Sequence, residues 1–69
     1  MPSTVIRSAR YDPDRELLDI VFTTGRRYLY HRVPPAEADA FRAAFSKGRY
    51  FNKHIRDNFE FTEVAGTDG

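Results

Sequence analysis

Between two turn signals lies a segment, Glu16 to Thr23, whose side chains alternate in strict period two. Leu17, Asp19, Val21 and Thr23 fall on one face, and Leu18, Ile20 and Phe22 on the other. Only the second set is wholly apolar, so it must point into a core, as expected of an antiparallel strand with one wet face. Before it stands Asp12-Pro13-Asp14-Arg15, where proline presets φ and aspartate bonds its own backbone; after it stands Thr24-Gly25, with glycine free to take positive φ. Two further extended segments flank these turns. Val5 to Tyr11 alternates imperfectly. Arg27 to Val33 places Tyr28, Tyr30 and Arg32 on one face and Leu29, His31 and Val33 on the other. Connections this short make the three strands antiparallel neighbours in a meander.

Pro34-Pro35 ends the third strand and opens a helix, because proline is tolerated at the first helical position. Glu37 and Asp39 sit where the helix dipole favours carboxylates. Ala38, Phe41, Ala44 and Phe45 keep the spacing of one buried stripe. Ser46-Lys47-Gly48 breaks this helix, with Ser46 able to cap a second helix over Arg49 to Asn58. Phe59 and Phe61 then follow in an extended tail that either adds an edge strand or simply packs, and residues 65–69 are expected to be disordered. The prediction is one α+β domain over residues 3–64, a three-stranded antiparallel meander followed by two short helices. Its expected core is Leu18, Ile20, Phe22, Phe41, Phe45, Phe51 and Ile55.

A chain of 69 residues holds one small core, which nets only about 3–5 kcal/mol without a staple. There is no cysteine, so neither a disulfide nor a thiolate metal site can supply one. His31 and His54 lack ligand spacing, and no metal or cofactor is expected. Six phenylalanines and four tyrosines are one compensation, since each ring buries a large area; self-association is another. No leader segment is read at the start, and the apolar stretch Leu17–Phe22 is broken by Asp19, so a cytoplasmic protein without a membrane span is expected. Eleven basic against ten acidic residues leave a net charge of +1, too balanced for the overall field to drive binding. Asp12 and Asp14 are accounted for by their turn, and His54, near Asp57 and Asn58, has no nucleophile beside it. The chain is not expected to be an enzyme.

Binding groups are more plausible than catalytic ones. Arg49, Lys53 and Arg56 stand at i, i+4 and i+7, and at about 100° per residue they form a stripe opposite Phe51 and Ile55, extended by Lys47. Such a stripe is either a phosphate-binding edge or an ordinary solvated face with snorkelling side chains. Tyr28 and Tyr30, bracketed by Arg26, Arg27 and Arg32, either stack bases on an open sheet or lie in the core with their hydroxyls bonded at the rim. The junction Ser46 to Asn52 is rich in donors and could hold an anion, or be no more than a capped turn; it lacks the spacing of a nucleoside-triphosphate loop.

Taken in order, Tyr11-Asp12-Pro13, Tyr28-Leu29-Tyr30, Val33-Pro34-Pro35, Ser46-Lys47-Gly48-Arg49-Tyr50-Phe51-Asn52 and His54-Ile55-Arg56 resemble the KTSC family. That family is a small domain found at the C-terminus of some lysyl-tRNA synthetases and as stand-alone bacterial proteins. The resemblance spans about residues 3–64 and is most specific over Gly48 to Arg56. It marks Tyr28, Tyr30, Lys47 to Asn52, Ile55 and Arg56 as characteristic positions, and its synthetase context implies RNA, tRNA above all, as a partner. Gly48, Phe51 and Ile55 are explained by folding, whereas Lys47, Arg49, Asn52 and Arg56 look more like a site. The leading expectation is a non-catalytic module that binds RNA phosphates through Lys47, Arg49, Asn52, Lys53 and Arg56, assisted by Arg26, Arg27, Tyr28 and Tyr30. The competing expectation is a protein-interaction or homodimerisation module that uses the sheet edge or an exposed Tyr28/Tyr30 face.

Overall fold

The computed structural model describes residues 6–64; the expected start of the first strand at Val5 and the disordered tail at 65–69 lie outside them. The strands are β1 (Ile6–Asp12), β2 (Leu17–Phe22), β3 (Arg27–Tyr30) and β4 (Phe61–Val64), antiparallel in the order β1-β2-β3-β4. The meander therefore has a fourth strand: the tail after Phe59 pairs with β3, Tyr30 opposite Phe61 and Tyr28 opposite Glu63. Helix α1 spans Pro35–Ala43 and α2 spans Lys47–Tyr50, and α2 runs directly into a π turn over Phe51–Ile55. The class is α+β, as the sequence implies.

Imperfect alternation in β1 has a structural cause. The register with β2 slips between Ile6 and Ser8, so Ile6 opposes Phe22 while Ala9 opposes Ile20. The extra residue is a bulge, and it lets Ile6 and Ala9, three apart, both pack on the core. Beyond β1, the Asp12 carboxylate accepts from the Asp14 and Arg15 N–H groups at 3.0 and 3.4 Å, closing the first turn. Gly25 closes the second, with φ +95° and its N–H donating to the Phe22 carbonyl at 2.8 Å.

Leu18, Ile20 and Tyr30 from the sheet, Ala38 and Phe41 from α1, and Phe51 and Ile55 from the π turn are buried together with Val33. Two expectations need correction. Val33 does not share a face with Leu29 and His31, because Arg32 adopts φ +59° just after β3 ends and turns the chain over. Val33 N–H then donates to the Glu16 carbonyl at 2.9 Å, and its carbonyl accepts from the Tyr11 hydroxyl at 2.6 Å. Phe45 is not in the core but fully exposed. Helix α1 stops at Ala43, and Ala44 is already extended at ψ 141°, so the stripe ends before its last member. The expected core residue Phe22 is partly buried, at the margin of the cluster. Among the described residues no helix is long and apolar enough to cross a membrane, and no group of His, Asp or Glu could hold a metal ion.

Candidate nucleic-acid interface

The second helix does not follow the α-period on which the basic stripe was drawn. Ser46 caps it, accepting from the Arg49 N–H at 3.3 Å, so one donor of the junction is taken up by the cap. Four residues of α-helix follow, and then the chain widens: Arg56 N–H donates five residues back to the Phe51 carbonyl at 2.8 Å. A wider turn advances each residue by a smaller angle. Phe51 and Ile55 still reach the core, but Arg56 no longer stacks beneath Lys53.

The cations consequently face two concave surfaces. Arg49 and Lys53, with Ser46, Tyr50, Asn52 and His54, line a cleft of about 620 Å³ whose rim carries the exposed Phe45. Lys47 stands exposed at the start of α2, outside this lining. Asn52 is half-buried and already engaged. Arg56 turns instead to a cleft of about 550 Å³, bounded by the open end of the sheet, the β2–β3 turn and the π turn. Arg26, Tyr28 and Tyr30 line this second cleft, together with Phe22, Phe51 and Phe61. The continuous ridge expected from Lys47 to Arg56 is thus divided.

Among the described residues Lys47, Arg49, Lys53 and Arg56 form no ion pair. Arg26 and Arg27 do. The Arg27 fork donates to the Asp19 carboxylate through Nε at 3.0 Å and Nη2 at 2.6 Å, and that hydrogen bonding pushes its already high pKa further up. Asp19 and Arg27 lie on the face of the sheet away from the helices, so Arg27 is not brought to either cleft. Arg26 pairs with Glu63 at 3.4 Å and is pushed up by the Tyr28 hydroxyl first and the Glu63 charge second.

The two tyrosines part company. Tyr30 is 3% exposed, its ring edge-on to Phe51 at 5.3 Å, and burial pushes its phenol up to about 12. This is the core placement, so Tyr30 offers no open face to a base or to a second chain. Tyr28 is half-buried and keeps one side toward the cleft. Sequence reasoning missed Phe45 and Phe61 as exposed rings and Phe22 and Phe51 as cleft walls. For Phe61 the signal was present, since its alternative as an edge-strand residue places it opposite Tyr30.

Comparison with known proteins places this geometry. A protein from Tsukamurella paurometabola is 42% identical over 57 residues, covering 83% of this chain and 85% of its own. A lysine–tRNA ligase from Nostoc punctiforme is 36% identical over 62 residues, 90% of this chain but only 11% of that enzyme. The crystal structure of a KTSC domain protein from Yersinia pestis superposes with a TM-score of 0.86 at 35% identity, covering 94% of this chain and 92% of the other. The KTSC domain model itself matches residues 2–59. With sequence, family model and backbone in agreement over nearly the whole length, the chain belongs to the KTSC domain family.

Proposed function

We propose that this domain is a non-catalytic module that binds RNA through its phosphates, with Arg49 and Lys53 on one side of the α2–π segment, Arg56 on the other and Lys47 at its start. The observation that carries it is clustering. Among the described residues only Arg15, Arg26 and Arg27 are matched to a carboxylate, and of the cations that form no ion pair four, Lys47, Arg49, Lys53 and Arg56, fall within one short segment. Unpaired cations at this density are what counterion release by a polyanion requires. The exposed Phe45 ring at the rim of the Arg49 and Lys53 cleft adds a flat apolar surface of the kind on which bases stack. A related segment within lysine–tRNA ligases supports RNA as the polyanion. The balanced overall charge makes binding depend on this local grouping rather than on long-range attraction.

About four phosphate contacts on a single strand give a log–log salt slope near −3, so raising salt from about 50 to 200 mM is expected to weaken binding roughly fifty-fold. Titration of single-stranded RNA at several salt concentrations, with Lys53→Gln and Arg49→Gln lowering the slope by about 0.7 each, tests the reading. Salt-independent affinity, or none at low salt, refutes it. A second reading, pairing of two copies along β4, is favoured by Phe61, 51% exposed on an edge strand. Solution mass at micromolar concentration separates the two; a monomer leaves the RNA reading alone.

A further inference from the structure

The cleft that receives Arg56 has features the phosphate reading does not use. Its floor is a cluster of rings already in mutual contact: Phe22 meets Phe51 at 5.4 Å and Tyr28 at 5.5 Å, both edge-on, and Tyr30 meets Phe51 in the same way. One ring differs. Phe61 leans on Tyr28 and Tyr30 at tilts of 38° and 33°, with centroids 5.2 and 5.4 Å away, and half its surface remains in water. Packing of the core does not require an exposed phenylalanine there, since the core cluster closes without it.

Polar groups converge on the same opening. Arg56 forms no ion pair among the described residues, Arg26 is held at the rim by Glu63 at 3.4 Å, Asp57 supplies a carboxylate, and Thr23 and Thr24 supply hydroxyls. Glu63 already neutralises Arg26, so Arg56 is the one cation of the rim left for a phosphate, and the Asp57 carboxylate beside it selects a ligand that also brings a donor. A ligand that offers an aromatic face, one anionic group and an edge with N–H donors matches every component. The volume, about 550 Å³, lies within the range of small-molecule sites.

We propose that this cleft binds a single nucleotide, an unpaired residue of the bound RNA, with its base against Tyr28 and Phe61, its phosphate on Arg56, and the Asp57 carboxylate accepting from an exocyclic amino group. The proposal rests on the RNA reading for the source of the nucleotide, but its chemistry is that of the cleft. It makes the domain a reader of unpaired RNA, because a base inside a duplex cannot present a free face to Phe61. Acceptance by Asp57 favours amino-bearing bases over uracil.

The test is a nuclear magnetic resonance titration of the labelled protein with adenosine monophosphate, uridine monophosphate and ribose phosphate, followed by single-stranded and duplex RNA. Adenosine monophosphate is expected to shift the signals of Thr23, Thr24, Tyr28, Arg56 and Phe61, with uridine monophosphate weaker and ribose phosphate without effect on Tyr28 and Phe61. Phe61→Leu keeps apolar bulk without a ring face, and is expected to weaken adenosine monophosphate and single-stranded RNA about tenfold while leaving duplex RNA unchanged. Unchanged Ala38 and Phe41 signals in the variant, from the helix side of the core, establish that the fold is retained; if they move, Arg56→Gln provides the same reading from the phosphate side. Salt-dependent RNA binding with a silent cleft and an unaffected Phe61→Leu overturns the nucleotide site and spares the phosphate reading. Adenosine monophosphate in the cleft without any RNA binding does the reverse: it upholds the nucleotide site and overturns RNA as its source.

Discussion

At the scale of single residues, two phenylalanines with the same apparent place in the pattern have opposite fates. Phe41 and Phe45 are four apart on one predicted stripe, yet Phe41 is completely buried and Phe45 completely exposed. The period was read correctly as far as α1 lasts; what the pattern did not contain was where it stops. Ala43-Ala44-Phe45 carries neither glycine nor proline, and the helix yields there because Ser46 must be extended, at φ −120° and ψ 107°, to cap α2. Phe41→Ala is expected to cost about 3–5 kcal/mol, comparable to the whole stability of so small a domain, and to leave it unfolded. Phe45→Ala is expected to leave the unfolding free energy within about 0.5 kcal/mol of the parent, as surface substitutions do, while weakening the binding of single-stranded RNA. Urea unfolding followed by circular dichroism measures both; a Phe45 variant that unfolds places the ring in a contact it does not make here.

Among the elements, strands were legible and their ends were not. Alternation located β2, because a one-residue error would have turned Leu18 and Ile20 to water, but for β3 it left open which face Tyr30 takes. It even carried the bulge in β1, as the odd spacing of Ile6 and Ala9. The tail's two alternatives were decided for pairing by β3, whose free edge could be satisfied by Phe61–Val64. Two departures from regular backbone stayed hidden, and both move functional conclusions. The π turn divides the cations of the second helix, and no residue type in Phe51 to Ile55 announces it. Arg32 at φ +59° turns Val33 inward, in a position that disfavours side chains branched at Cβ. Arg32→Val is therefore expected to destabilise by about 1–2 kcal/mol, and Arg32→Gly to be neutral or slightly stabilising, since the Arg32 side chain is exposed and makes no ion pair among the described residues. Denaturant midpoints that rank valine at or above arginine would argue against a left-handed residue at this site.

Over the whole molecule, the question is what replaces the missing staple, and the phenols answer it. Tyr11 on β1 donates to the Val33 carbonyl at 2.6 Å, tying the sheet to the segment that enters α1. Tyr50 on α2 donates to the Glu37 carboxylate of α1 at 2.6 Å, tying the two helices. Tyr30 lies beneath Phe51 and closes the sheet against the π turn. The Tyr11 and Tyr50 ties need their protons, and burial of Tyr30 disfavours losing its own. The Tyr50 phenol is pushed up to about 12 by its bond to Glu37 first and by burial second; Tyr30 reaches about 12 chiefly by burial, and Tyr11 is raised in the same direction. These folded-state values lie above the ordinary 10 of the unfolded chain, so the native state holds the protons more tightly. Their contribution is fully present below pH 10 and is lost as pH rises from 10 through about 12. Ionised Tyr50 would also face the Glu37 carboxylate with no proton between them. Alkaline unfolding is thus expected to set in above pH 10, with phenolate absorbance and helical signal changing together as Tyr30 and Tyr50 are released. Tyr50→Phe removes one tie, costs about 1 kcal/mol near neutral pH, and flattens the alkaline slope by its share. Equal slopes in parent and variant would mean that the interhelical bond does not hold the proton, and that the aromatic core alone supplies the stability that disulfides provide elsewhere.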